Sequence, residues 1–174
     1  MRQLFALILL LIGSSCVAQN IETFLGTQAA INNEDIQVGL RYEWHLKSKP
    51  YYFKLSYDRR PFQRKVWKLM DVNLYHQYAE RRHYVGPGVG LKIPLTKTMS
   101  WVGEVDAFYS WARYGGLNLR PKDGYAISPG SGFRFRNVLR KDDALMIGFK
   151  YRETLAPLER FYFHIGYSID ISNK

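Results

Sequence analysis

Cysteine is almost absent from this chain. Its 174 residues hold one, Cys16, so no disulfide within the chain can staple the fold, and no pair of thiols can serve redox chemistry. Long apolar runs are missing too. The longest is nine residues, Leu4 to Ile12, whereas a helix that crosses a membrane needs about 20. Histidine is scarce: His45, His76, His83 and His164 are scattered, without the close spacing of a metal site. No zinc-finger or RNA-binding motif is present. Gly86-Pro87-Gly88-Val89-Gly90 has the glycines of a nucleotide loop but not the Lys-Ser/Thr and helix that must follow. No cofactor and no nucleic-acid partner are therefore expected. A catalytic set is also missing. His164 and Ser168 would share one strand face, but four residues at about 3.3 Å each put them roughly 13 Å apart.

What is present begins at the N-terminus. Arg2, the apolar stretch to Ile12 and the small-x-small sequence Cys16-Val17-Ala18 form the three parts of a secretory signal peptide, residues 1–18. Two alternatives are a buried N-terminal helix and a lipidated Cys16. The second is weakened by Gly13, which stands where a large aliphatic residue is expected. Cleavage after Ala18 leaves residues 19–174 as one domain and removes the only cysteine. Arg2 is the one charged residue lost, so the net charge falls from +10 to +9. A basic balance favours anionic partners. For an exported chain these are lipid phosphates rather than nucleic acid.

The dominant signal has a period of two. Ile36, Val38, Leu40, Tyr42, Trp44 and Leu46 alternate with Gln37, Gly39, Arg41, Glu43, His45 and Lys47. Such alternation gives a strand one apolar and one polar face. It recurs strongly at 51–58, 145–152 and 161–172, and more weakly at 21–31, 84–95, 99–112 and 126–138. Five copies of apolar-Gly-apolar-polar-apolar begin at Val38, Val89, Ser131, Ile147 and Ile165. Gly39/Arg41, Gly90/Lys92, Gly132/Arg134 and Gly148/Lys150 each put a glycine and a base on the polar face, two residues apart. That face carries both charge signs, and the other face is bulky and aromatic. A charged interior with an outward apolar band and aromatic girdles describes a transmembrane β-barrel. The glycines then leave room where the interior is tight, and the long basic chains fill it.

The expected fold is all-β: an antiparallel transmembrane β-barrel of eight strands. Nine stretches compete for those places. Short polar turns at 47–50, 96–98 and 140–143 define three hairpins and belong on the periplasmic side. Residues 58–82 and 114–124 are then external loops, with shorter ones near 32–35 and 154–160. The ambiguous stretch 66–79 falls in the first of these. The rival solution keeps 66–79 as a barrel strand and drops 21–31. Pro87 and Pro129, in matching glycine-rich contexts, are expected at strand ends or bulges.

The pattern resembles the small eight-stranded outer-membrane proteins of Gram-negative bacteria, across the signal peptide and the whole mature chain. Such proteins often end in an aromatic residue, whereas this chain continues to Ser172-Asn173-Lys174. The resemblance implies a location in the cell outer membrane, with outer-membrane lipid and the assembly machinery as partners. The inward face is nearly balanced. Glu22, Glu43, Asp58, Glu104, Asp106 and Asp170 stand against Arg41, Lys54, Lys92, Arg134, Arg136, Lys150 and Arg152. This suits a plugged lumen of paired charges and a non-enzymatic role, structural or through binding by loops. Two alternatives remain open: a lipid-modifying barrel enzyme, and a soluble periplasmic β-barrel that binds a ligand. Residues 58–83 hold seven bases against three acids. Within them Arg59, Arg60, Arg64 and Lys65 are candidates for binding lipid phosphates, those of lipopolysaccharide in particular, because a guanidinium can bond two phosphate oxygens at once.

Overall fold

The period-two segments all become strands in the computed structural model, which describes residues 21–32, 36–60, 64–70, 74–115, 124–152 and 161–172. They are β1 (Ile21–Ile31), β2 (Ile36–Leu46), β3 (Tyr51–Arg59), β4 (Arg64–Met70), β5 (Leu74–Pro94), β6 (Met99–Gly115), β7 (Gly124–Arg136), β8 (Asp143–Tyr151) and β9 (Phe161–Asp170). No helix occurs among the described residues. The signal-peptide segment 1–18 and the external loop expected at 154–160 lie outside them, as do residues 116–123 of the loop expected at 114–124, whose edges instead belong to β6 and β7.

The sheet closes on itself. β1 pairs with β2 on one side and with β9 on the other, and β3 pairs with β5. The ring is therefore β1-β2-β3-β5-β6-β7-β8-β9, eight antiparallel strands without a free edge. Closure satisfies backbone hydrogen bonds between strands, the condition for crossing hydrocarbon with β-structure.

β4 does not belong to the ring. Among the described residues it pairs only with the far part of β5, from Arg64↔Glu80 to Met70↔Leu74. The expectation that 66–79 lies outside the barrel holds, and the rival that drops 21–31 fails, because β1 is a full member. What the sequence did not indicate is that the segment makes a hairpin by extending β5. A strand needs about 9–11 residues to cross a bilayer, whereas β5 has 21 and β6 has 17. Their excess lies at the end where β4 attaches, with Ala79 still paired to Gly115. A ribbon of β4 and the far part of β5, with the end of β6 beside it at its base, thus continues the barrel wall on that side.

The short turns gather at the opposite end. They connect β2 to β3, β5 to β6 and β7 to β8, as the hairpin pattern implies. The last is the most elaborate. Asn137 and Asp142 have positive φ, a conformation that these two residue types tolerate better than most. The Asp143 carboxylate accepts hydrogen bonds from the backbone N–H groups of Val138, Leu139 and Arg140 at 2.7–2.9 Å.

Burial is reversed relative to a water-soluble fold. Arg134 is 2% exposed, whereas Phe149 is 67% exposed. The same reversal runs along every barrel strand, for example with Arg41 inside and Leu40 outside. The inward glycines allow close approach. A Cβ on Gly132 or Gly148 would strike the backbone of the opposite strand, because these two residues face each other across β7 and β8. Gly90 instead makes room for the Tyr52 ring.

The prolines differ from expectation. Pro87 and Pro129 stand within β5 and β7 and face outward, not at strand ends. β5–β6 pairing is interrupted between Val85↔Tyr109 and Gly88↔Asp106, where Pro87 has no N–H to offer. Beside Pro129, the Ser128 hydroxyl donates to the Tyr151 carbonyl at 2.8 Å. A side chain there serves a carbonyl beside a residue that has no backbone donor.

Candidate functional site

The lumen holds clusters of paired charge, and strand register builds them in layers. At the ribbon end, β2, β3 and β8 bring Gln37, Asp58 and Arg152 together. The Arg152 guanidinium donates to Asp58 at 2.6 Å and also to Gln37. It lies 4.5 Å from the Tyr84 ring centroid and 4.7 Å from that of Phe108. Gln28 donates to the same Asp58 at 2.5 Å. The His164 Nε2 faces the Gln28 carbonyl oxygen at 3.2 Å.

Glu104 occupies the middle layer. Arg41 donates to it at 2.7 Å and Tyr52 at 2.5 Å; Lys54 reaches its other oxygen. Lys54 and Lys150 both bridge to Asp106, at 2.9 and 3.1 Å. One layer nearer the turns, Glu43 is held by Arg41, by Arg134 at 2.6 Å and by His45 at 2.6 Å. Arg134 also donates to the Ser168 hydroxyl at 3.2 Å. At the turn end Arg136 pairs with Glu22 at 2.5 Å where both are part-exposed.

Eight of the ten residues expected in this network are buried and paired: Arg41, Glu43, Lys54, Glu104, Asp106, Arg134, Lys150 and Arg152. Arg136 and half-buried Lys92 mark its turn-side mouth. Among the partners that sequence reasoning left out are Gln28, Gln37 and Tyr52. All three sit on inward faces, but their bonds run across the lumen between strands far apart in sequence. His164 and Ser168 belong to different layers with different partners, Gln28 and Arg134. No group of three His, Cys, Asp or Glu residues that could hold a metal occurs among the described residues.

The outer surface is the complement of this interior. Leu40, Phe53, Val89, Val105, Ile127, Phe133 and Phe149 are all exposed around the wall. An eight-stranded closed wall with a polar interior and an apolar exterior is built for lipid. The fold is that of a small transmembrane β-barrel. Aromatic groups cluster on its outer face toward the ribbon. Tyr57 and His83 are 2.9 Å apart at their polar atoms, and His83 stacks on Trp111 with ring centroids 5.1 Å apart. Such rings sit at the headgroup level.

The four basic candidates do not form one surface. Arg59 ends β3 and is exposed, whereas Arg60 is 3% exposed and its N–H donates to the Arg82 carbonyl. Arg64 and Lys65 open β4, opposite Glu80 and Ala79.

No family model matches the barrel's sequence, and no curated protein matches it. Solved structures are similar in architecture. The Yersinia pestis outer membrane protein Ail in a phospholipid bilayer nanodisc aligns with a TM-score of 0.48 and 11% identity, over 86% of this chain and 98% of Ail. A crystal structure of Ail in complex with the heparin analogue sucrose octasulfate gives 0.44 and 11%, over 86% and 94%. Neisserial surface protein A gives 0.49 and 10%, over 86% and 94%.

Proposed function

We propose that this barrel is a non-enzymatic outer-membrane protein whose lumen is plugged and whose external basic segment binds lipid phosphates. The observation that carries the first part is the middle of the lumen. Arg41, Lys54, Arg134 and Lys150 converge on Glu43, Glu104 and Asp106, and all seven are buried. Each carboxylate is shared by two or more cations, so a side chain that swings aside gives up charge-assisted bonds and carries its own buried charge out of its pairing. An interior of eight strands is just wide enough for side chains to fill. Ion passage would require the whole cluster to rearrange.

The test is conductance. The barrel in planar bilayers is expected to pass no more than small, rare currents. Steady, large currents would overturn the plugged reading. The second part draws on Arg59, Arg60, Arg64 and Lys65 at the ribbon end, where lipopolysaccharide presents phosphates. Burial of Arg60 leaves Arg59 as the exposed member whose surroundings the structure describes. Export through cleavage after Ala18 belongs to the same proposal, and an intact mass starting at Gln19 tests it.

A further inference from the structure

The outward wall is not evenly apolar. Across β9, β1, β2 and β3 the pairing register aligns Ile165, Ala29, Val38 and Arg59 in one outward row. The adjacent row is Tyr167, Thr27, Leu40 and Tyr57. Ala29 and Thr27 are the small members, and they form the floor of a recess walled by the larger side chains. Arg59 lies at its ribbon-side corner. The recess is almost wholly apolar and opens toward the lipid, so water is not its natural occupant.

Arg59 has a basic neighbour. Its Cα partner on β5 is His83, and Arg81 stands two residues further along the same outward face. Diagonal neighbours of this kind are about 7–8 Å apart at the backbone. Both guanidinium side chains are exposed, and neither has an ion-pair partner among the described residues. The Tyr57–His83–Trp111 cluster beside them marks the height at which headgroups sit. Two exposed guanidinium groups at headgroup height, above an apolar recess below it, match the two ends of one amphiphile.

We infer that this flank is a binding site for one molecule of phosphorylated outer-leaflet glycolipid. Arg59 and Arg81 hold a lipid A phosphate of lipopolysaccharide, and an acyl chain lies over Ala29 and Thr27. The inference rests on the proposed lipid-phosphate binding and narrows it from a basic segment to a site on the barrel wall. The acyl recess supplies area, and the paired arginines supply the choice of headgroup, since guanidinium forks bond phosphate oxygens in pairs.

The experiment uses the mature barrel in nanodiscs of phosphatidylcholine, with retained lipid measured by native mass spectrometry. Lipopolysaccharide, its dephosphorylated form and phosphatidylglycerol are titrated separately. Heat-modifiable gel migration confirms that each variant is folded. Wild type is expected to retain lipopolysaccharide over both alternatives. Arg59→Gln with Arg81→Gln is expected to weaken retention about tenfold or more, as for lost hydrogen bonds to a charged group. Ala29→Phe, which fills the floor, is expected to weaken retention while the preference for the phosphorylated form persists. Arg64→Gln with Lys65→Gln is expected to weaken retention less than Arg59→Gln with Arg81→Gln does. Equal retention of the dephosphorylated form or of phosphatidylglycerol would overturn the inference. So would wild-type binding by the Arg59/Arg81 variant, or a dimer formed through the recess. Loss of binding only in the Arg64/Lys65 variant would overturn the wall site while sparing the broader proposal. Absence of binding by wild type would remove both.

Discussion

Replacing Glu104 with Gln tests whether the lumen is held by charge pairing or merely filled. The substitution keeps shape and removes one charge. Glu104 takes hydrogen bonds from Arg41, Tyr52 and Lys54, and Lys150 lies 3.4 Å away. The buried middle then holds four cations against Glu43 and Asp106 alone, so its excess positive charge doubles from one to two. Breaking a buried pair by removing one partner costs about 3–5 kcal/mol, because the other charge stays behind in a poor solvent. We expect Glu104→Gln to lose about 3 kcal/mol, since Asp106 still anchors both lysines and Glu43 still anchors Arg41. Lys54→Met in the same chain restores the original excess of one cation. Lys150 remains 3.1 Å from Asp106, so that carboxylate keeps a partner. The double variant should recover part of the loss, with a coupling energy of about 0.5–3 kcal/mol. The assay is urea unfolding in lipid vesicles, followed by tryptophan fluorescence with m-values compared. A single variant within about 1 kcal/mol of wild type would refute the reasoning. So would a double variant less stable than Glu104→Gln.

Three further perturbations probe the wall and the turns. Gly132→Leu should abolish heat-modifiable migration, because its Cβ meets the Ile147 carbonyl and the Gly148 Cα, both backbone. Gly90→Ala should be milder and should be rescued by Tyr52→Leu, because the obstacle there is a side chain; failure of the rescue would refute that distinction. Asp143→Ala should leave the barrel formed but less stable by about 1–3 kcal/mol, since it removes a charged acceptor from three turn N–H groups; unchanged urea unfolding would show that the turn holds without it.

The barrel was legible because its signal is local and repeated. Alternation at 36–47 sorts inside from outside one residue at a time, and a register slip would reverse every side chain. Short polar turns fixed which strands form hairpins. The ribbon was not legible. Phe62, Val66, Met70, Leu74 and Tyr78 carry a spacing of four that competes with strand alternation, and nothing local shows that β5 outruns its barrel partner. The prolines were misplaced for a related reason. A missing N–H harms a strand only if its neighbour needs that donor, and the neighbour's identity is a tertiary fact. Near Pro129 the Ser128 hydroxyl offers another donor to Tyr151.

The lumen shows a sharper division between composition and arrangement. Alternation alone puts Arg41, Lys54, Arg134 and Lys150 inside, and a near balance of acids inside follows from the cost of burying unpaired charge. Which acid serves which base does not follow, because the bonds cross the barrel. Arg41 on β2 meets Glu104 on β6, and Arg134 on β7 meets Glu43 on β2. Those pairings depend on barrel closure through β1–β9, the contact between the first and last strands, which no hairpin contains. Closure also separates the surplus charge from the balanced charge. Arg59 and Arg81, on the outside of the wall, have no ion-pair partner among the described residues, whereas lumen bases only one residue out of phase, such as Lys54, are paired. A strand's two faces thus give the same residue type opposite roles. Inward, a base neutralises an acid and fills space; outward at the headgroup level, it remains available to an anion from the membrane.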